Sequence, residues 1–482
     1  MSILSLEFLA FAAAVILVYY LLPLRIRPLA LLLASGVFAV LAGWQTAAHL
    51  AAVTLVTWGG ALLLERKKSR LLLALLLVLD LGAMAFLKYY PALFGAALIL
   101  PLGLSYFTFQ TAGYLIDVYR GKAQAAKNPL RTLLFAGYFL QLPQGPISTW
   151  KELEDQLTTG HRLEPENLTA GFQLMLWGYF KKLVIADRLA ATTEALLGGE
   201  TLPGWFVLGG VILYTLRLYA DFSGGLDVVR GVSRMLGITL PENFRRPFFA
   251  QSVAEYWRRW HITLGAWFRS YVLYPFSTSC FGVGLAKGAA RLVGKKTART
   301  LPTALGTLMV FLLIGIWHMA SWNAVVYGAY FGLVMAASLL LEPLWKTIDR
   351  TLNLPKGGWM RPLRMARTWG LVLLAQYFAF TNGPAQGLGL LAQTLTAWNF
   401  KGFAERMTAV MPWLEWIIAA AALGILLVVD ILCEHVKDLN GRLARGRVIV
   451  RWPLLIALIV IILVFGCYGT GFDSAAFVYT QF

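Results

Sequence analysis

The chain has 482 residues, 59% of them hydrophobic and only 14% charged, and its mean hydropathy is +0.66. A soluble domain carries about a quarter charged residues, so this composition excludes a water-soluble globular fold and calls for apolar helices that face lipid. Lys and Arg number 42 against 24 Asp and Glu, a net charge of +18; because the basic runs sit between apolar stretches, they read as cytoplasmic loops of a membrane protein and not as a nucleic-acid surface.

In chain order, apolar runs at 3–23, 28–47, 50–64 and 70–88 are each close to the length that crosses a bilayer as a helix. The start has no basic n-region and no small-residue cleavage site, so it reads as a first span rather than a removed signal peptide. The connections alternate in charge. Arg25 and Arg27 mark the first, the turn at Trp44–His49 has no Lys or Arg, Glu65–Arg70 reads ERKKSR, and the turn after Lys88 is again nearly uncharged. The basic loops belong in the cytoplasm, with the N-terminus outside.

The middle is less regular. In PLGLSYFTFQTAGYLIDVYR (Pro101–Arg120) the polar residues Ser105, Thr108 and Gln110 need partners in a bundle or a cavity. Two prolines and a glycine break the helix at QLPQGPISTW (Gln141–Trp150). Spans follow near 168–186 and 203–220. The stretch Asp221–Phe249 is too charged to span and reads as short, broken helices, with Asp221 and Asp227 held in one loop around Gly224–Gly225 as partners for Arg or Lys. Further on, 303–341 is long enough for two spans, and others fall near 368–382, 413–432 and 452–470, with 385–410 ambiguous. The expectation is an all-α polytopic membrane protein of about ten to twelve spans plus one or two re-entrant or interfacial helices. No internal repeat is visible, which argues against a transporter built from paired repeats.

The chemistry concentrates between Asp221 and Asn323. If Ser252–Phe276 is one helix, then at about 100° per residue Trp257, His261, Leu264, Phe268 and Tyr271 fall within roughly an 80° arc. Arg258 and Arg269 sit together on the flank of that stripe, and with Arg259 and Trp257 they would suit an anionic donor at a membrane interface. A second histidine, His318, lies inside the apolar run LLIGIWHMASWNAVVYG, where an ionisable group is costly and marks function by default. His49, His161 and His435 fall in or beside loops. Cys280, Cys433 and Cys467 are widely spaced, and no HxxxH or HExxH pattern exists, so neither a disulfide framework nor a metal site is expected. A neutral imidazole suits removal of a proton from a hydroxyl nucleophile. Trp317, Ser321 and Asn323 are the candidate dipoles for a developing oxyanion, with Asn323 favoured for its amide.

At these residues a family resemblance becomes plain. PLGLSYFTFQTAGYLIDVYR, FLQLPQGPI, GYFKKLVIADRL, YADFSGGLDVVRG, LPENFRRPF, EYWRRWHITLGAWFRSYVLYP and GIWHMASWN, in this order, resemble the membrane-bound O-acyltransferase superfamily. The likeness is to its bacterial branch that modifies alginate and teichoic acid, and it extends to the C-terminal FVYTQF. The resemblance implies one integral-membrane domain: peripheral helices over about 1–95, a core carrying the motifs over about 98–345, and C-terminal helices over about 368–482. It implies His318 as the catalytic histidine and His261 as the second functional one. It implies a short acyl group, acetyl before D-alanyl, moving from a cytoplasmic thioester, either acetyl-coenzyme A or a phosphopantetheinyl carrier protein. The acceptor would be a hydroxyl of a cell-surface polysaccharide or of an extracytoplasmic partner protein. The setting would be a bacterial plasma membrane, with lipid as the protein's solvent, no bound cofactor, no metal and no nucleic acid. Met319 stands where the family usually has glycine, Gly225–Leu226 replace an aromatic–serine pair, and Tyr330–Gly332 lacks a histidine that some members carry.

Overall fold

The computed structural model describes residues 1–95, 98–197, 202–351 and 358–468; the FVYTQF stretch lies outside them. The helices run in chain order as α1 (Leu6–Leu21), α2 (Arg27–Leu41), α3 (Trp44–Arg66), α4 (Arg70–Phe94), α5 (Leu104–Tyr119), α6 (Pro129–Gly137), α7 (Trp150–Thr158), α8 (Pro165–Tyr179), α9 (Asp187–Leu197) and α10 (Gly204–Met235). They continue as α11 (Val253–Arg259), α12 (Ile262–Phe268), α13 (Tyr274–Thr278), α14 (Cys280–His318), α15 (Trp322–Leu340), α16 (Glu342–Thr351), α17 (Met360–Gln376), α18 (Pro384–Thr396), α19 (Phe403–Val410), α20 (Trp413–His435), α21 (Leu439–Arg445) and α22 (Val448–Phe465). Among the described residues there is no strand, and seven helices are long and apolar enough to cross a membrane: α3, α4, α10, α14, α15, α20 and α22. The shorter apolar helices α1 and α2 join them. The protein is an all-α, multi-pass membrane protein.

The chain divides into two compact units. The first comprises Met1–Leu189, Arg217–Glu242 and the segment from Leu414. Its N-terminal helices meet over a cluster of rings, with Phe11 edge-on to Phe139 at 5.6 Å and Phe8 edge-on to Phe38 at 6.3 Å. Arg27 is buried at the start of α2, where its guanidinium donates to the carbonyls of Tyr20, Leu22 and His161 and lies over the rings of Tyr19 and Tyr20. His49 is not in a loop: it sits in the first turns of α3 with its ring 5.7 Å from that of Phe107.

Between α8 and α9 the helix widens into a π-helical segment, Phe180–Ala186, which carries Lys181 and Lys182. A π-bulge of this kind often marks a functional or special packing position. Here it turns both ammonium groups onto the second half of α10. Lys181 Nζ lies 2.7 Å from Asp227 and donates to Ser223 Oγ at 2.8 Å, while Lys182 Nζ lies 2.6 Å from Asp221 and 2.7 Å from Asp187. Arg230 adds a third cation, 3.1 Å from Asp227. Close approach is possible because α8 and α10 meet at glycines; a methyl group at Gly178 would stand 2.5 Å from the Gly224 carbonyl oxygen.

This network corrects the reading of Asp221–Phe249. The two aspartates do not share a loop; α10 runs unbroken through Gly224–Gly225 to Met235, and only then does the chain leave helix. Unpaired, those carboxylates would be excluded from a buried helix. Paired with lysines some forty positions earlier in the chain, they are accommodated.

The second unit comprises Ala190–Leu216 and Asn243–Trp413. Its backbone is the hairpin of α14 and α15. α14 kinks at Gly294, whose φ of 78° is non-helical, and then runs to His318. The two helices pack closely because Gly315 sits directly against the Ala324 carbonyl, where any side chain would collide. Trp257 of α11 fills the space beside them, edge-on to Phe311 at 5.0 Å and to Phe331 at 4.9 Å. α17 is tied in by Trp369, which stacks on Phe248 and donates its indole N–H to the Phe248 carbonyl at 3.1 Å.

Candidate active site

Ser252–Phe276 is not one helix. Ser252 caps α11 by accepting the Glu255 amide, α11 ends at Arg259, and α12 begins at Ile262. Between them His261 adopts the left-handed conformation, φ 45° and ψ 53°. A non-glycine residue in that region is uncommon and costs conformational energy, so something must hold it. The anchor is Asn243, 1% exposed. Its Oδ1 accepts from Thr263 N and Thr263 Oγ1, each at 2.9 Å, and lies 3.3 Å from His261 Nδ1; its own carbonyl accepts the Ile262 amide at 2.9 Å. One carboxamide thus fixes the backbone on the far side of His261 and faces its ring. The single stripe of Trp257, His261, Leu264, Phe268 and Tyr271 does not exist, because the break turns α12 away from the α11 register.

His261 is 2% exposed and lies outside the spanning helices. Burial pushes its pKa down from 6.5 to about 3, so the ring is neutral at physiological pH. Its centroid is 6.4 Å from that of Trp317, which in turn is 4.5 Å from that of His318. Both histidine rings are therefore neighbours of one indole. His318 is the last residue of α14; Met319 turns to extended backbone, and Ser321 caps α15 by accepting the Ala324 amide at 3.3 Å.

Asn323 follows at once and is 1% exposed. Its Nδ2 donates to the Thr381 carbonyl and, at 3.0 Å, to Thr381 Oγ1, which leaves Oδ1 buried with no hydrogen-bond partner. The amide hydrogens favoured for an oxyanion are already engaged in tying α15 to the connection between α17 and α18.

The arginines separate into two kinds. Arg259 is half-buried, 2.8 Å from Glu255, and directed at the carbonyls of Arg245 and Arg246, so it braces the Asn243 segment. Arg258 and Arg269 are exposed. Asp221 and Asp227 lie in the first unit and form the ion pairs with Lys182 and Lys181 described above. Sequence reasoning missed Asn243 and Thr381. For Asn243 a signal existed: a short amide next to a charged pair in LPENFRRPF, just before a break that itself went unseen.

Proteins of similar sequence are known. The probable alginate O-acetylase AlgI of Azotobacter vinelandii is 32% identical over 388 residues, covering 74% of this chain and 70% of its own. The peptidoglycan O-acetyltransferase of Helicobacter pylori is 29% identical over 269 residues, covering 50% of this chain and 47% of its own. The teichoic acid D-alanyltransferase of Bacillus subtilis is 26% identical over 288 residues, covering 59% and 69%. No protein-family model matches the chain.

Proposed function

Because the chain belongs to the membrane-bound O-acyltransferase family, we propose that it moves an acetyl group from a cytoplasmic thioester to a hydroxyl of a cell-surface polysaccharide, or of a partner protein that hands the group on, in a bacterial plasma membrane. The observation that carries the reading is that His261 and His318 both lie close to one indole, that of Trp317. His318 acts as general base. Its imidazole takes the hydroxyl proton as that oxygen attacks the thioester carbonyl; the C–S bond then breaks, and the departing thiolate recovers a proton as thiol. His261, neutral and held by Asn243, is the second polar group beside the reacting carbonyl.

Asn323 serves the reaction by fixing the turn after His318, since its amide is given to Thr381. That leaves Trp317 and the Ser321 turn as candidates for the oxyanion dipole. The motif-bearing core is taken as about 98–345, between peripheral and C-terminal helices. Acetyl is preferred to D-alanyl because the similarity to the alginate enzyme, 32% over 388 residues, exceeds that to the D-alanyltransferase, 26% over 288.

Exposed Arg258 is assigned to the anionic donor, coenzyme A or a phosphopantetheinyl carrier. Arg258→Glu is expected to raise the KM for the donor about tenfold, an effect on the scale of one charged contact, and to leave that for the acceptor unchanged. Equal changes in both would remove the donor-side role. The function itself is tested by mass spectrometry of surface glycans from cells with and without the protein: acetyl esters lost with it support the reading, and unchanged glycan acylation contradicts it.

A further inference from the structure

The carboxamide that anchors His261 also decides which of its ring nitrogens carries the proton. A neutral imidazole holds one hydrogen, on Nδ1 or on Nε2, and the hydrogen bond made at one nitrogen sets the state of the other. Burial keeps the His261 ring neutral, so one of these two forms is present. The ring nitrogen that meets Asn243 is Nδ1, 3.3 Å from its side chain. What Asn243 presents there, an acceptor or a donor, fixes the tautomer.

The Thr263 amide settles which it is. A backbone N–H donates and cannot accept, and Thr263 N lies 2.9 Å from the same side-chain atom of Asn243. That atom is therefore the oxygen Oδ1, with Thr263 Oγ1 as a second donor at 2.9 Å. Turning the carboxamide over would press its NH2 group against the Thr263 N–H. The orientation holds although it leaves Asn243 Nδ2 buried with no hydrogen-bond partner among the described residues. The backbone around it is tied as well: the Asn243 carbonyl accepts the Ile262 amide at 2.9 Å, and the Arg259 carbonyl accepts the Arg245 amide at 2.8 Å. With Oδ1 as the fixed neighbour, a hydrogen on Nδ1 completes a hydrogen bond. A lone pair on Nδ1 would instead face a second lone pair inside a buried site. Forgoing one buried hydrogen bond shifts an equilibrium by about tenfold or more.

We propose that Asn243 is a positioning residue for acyl transfer that locks His261 as the Nδ1–H tautomer, so that Nε2 carries the lone pair. The inference rests on the acyl-transfer reading for its consequence in the reaction, and on the geometry of Asn243 and Thr263 for the tautomer itself. His261 then takes part as an acceptor. Its Nε2 receives a hydrogen bond and has no hydrogen to give to a developing oxyanion, which needs donors. The oxyanion dipole is thereby left to groups other than His261.

The tautomer is read by nitrogen NMR of the full-length protein in lipid nanodiscs, isotope-labelled at its histidine rings. The His261 signals are those lost in His261→Gln. In wild type, Nδ1 should carry the hydrogen and Nε2 none. Asn243→Leu, which offers no acceptor, should shift the tautomer ratio towards Nε2–H by about tenfold or more. Thr263→Val removes a hydrogen bond from the same anchor but keeps the backbone amide that orients Oδ1, so it should retain the wild-type tautomer. In transfer assays Asn243→Leu should lower kcat about tenfold, the scale of one hydrogen bond, with the KM of donor and acceptor unchanged. Nε2–H in wild type would overturn the proposal with no variant needed. So would an unchanged ratio in Asn243→Leu, an equal shift in both variants, or a changed ratio with wild-type kcat. The NMR needs no turnover, which keeps the two readings separable. If wild type holds Nδ1–H but transfers no acyl group from any thioester, the acyl-transfer reading falls and the tautomer stands; transfer by a protein with Nε2–H gives the reverse.

Discussion

Purified His318→Ala protein is expected to transfer acyl groups on the order of 10²–10⁴ times more slowly than wild type, with its unfolding midpoint unchanged. The size follows from the chemistry assigned to that ring: without a base the attacking hydroxyl keeps its proton until late in the reaction, and the tetrahedral intermediate forms as a strong acid. The fold should not notice, because His318 sits where α14 ends and the packing there comes from Gly315 against Ala324. His318→Gln, which keeps a hydrogen-bonding group but cannot take the proton, should be as slow as the alanine variant. If the KM for the donor rose while kcat stayed at the wild-type value, His318 would be a binding residue and not the base.

The second large effect concerns stability. Lys182→Met is expected to destabilise the first unit by about 3–5 kcal/mol, the range for breaking a buried ion pair from one side. Lys182 is 1% exposed and serves Asp221 and Asp187 together, so its loss takes an ion-pair partner from two carboxylates, one of them as deeply buried as itself. Adding Asp221→Leu and Asp187→Leu to Lys182→Met should recover most of the loss, since replacing a whole buried network with apolar side chains is often neutral. Thermal unfolding in mild detergent reads both. A Lys182→Met protein with the wild-type midpoint would show that the network contributes little and that α8 and α10 are held by glycine packing alone.

Much of this was legible in the chain. Composition and loop charge give the membrane class, and the motif order gives the family before any coordinates. The length of 303–341 allows two spans, and the structure has one helix ending at His318 and another starting at Trp322. Two features were not legible, for the same physical reason. Asp221 and Asp227 look like loop residues because their partners, Lys182 and Lys181, are about forty positions away, and a π-bulge that aims those lysines has no periodic signature. His261 looks like one member of a helical stripe because the left-handed turn beneath it is imposed by Asn243, eighteen positions earlier. Periodicity reports local geometry and is blind to a break enforced from elsewhere. The same limit applies to Asn323: its amide suits an oxyanion until Thr381, fifty-eight positions on, is seen to hold it.

The most direct test of the central claim is transfer of label by the purified wild-type protein, reconstituted in vesicles with radiolabelled acetyl thioester on one side and a polysaccharide acceptor, or the partner protein that hands the group on, on the other. The account predicts alkali-labile acetyl label on the acceptor's hydroxyls, dependent on His318. D-alanyl label transferred in preference to acetyl would contradict the assigned substrate, and no transfer of either, from a protein shown to be folded, would contradict the account itself.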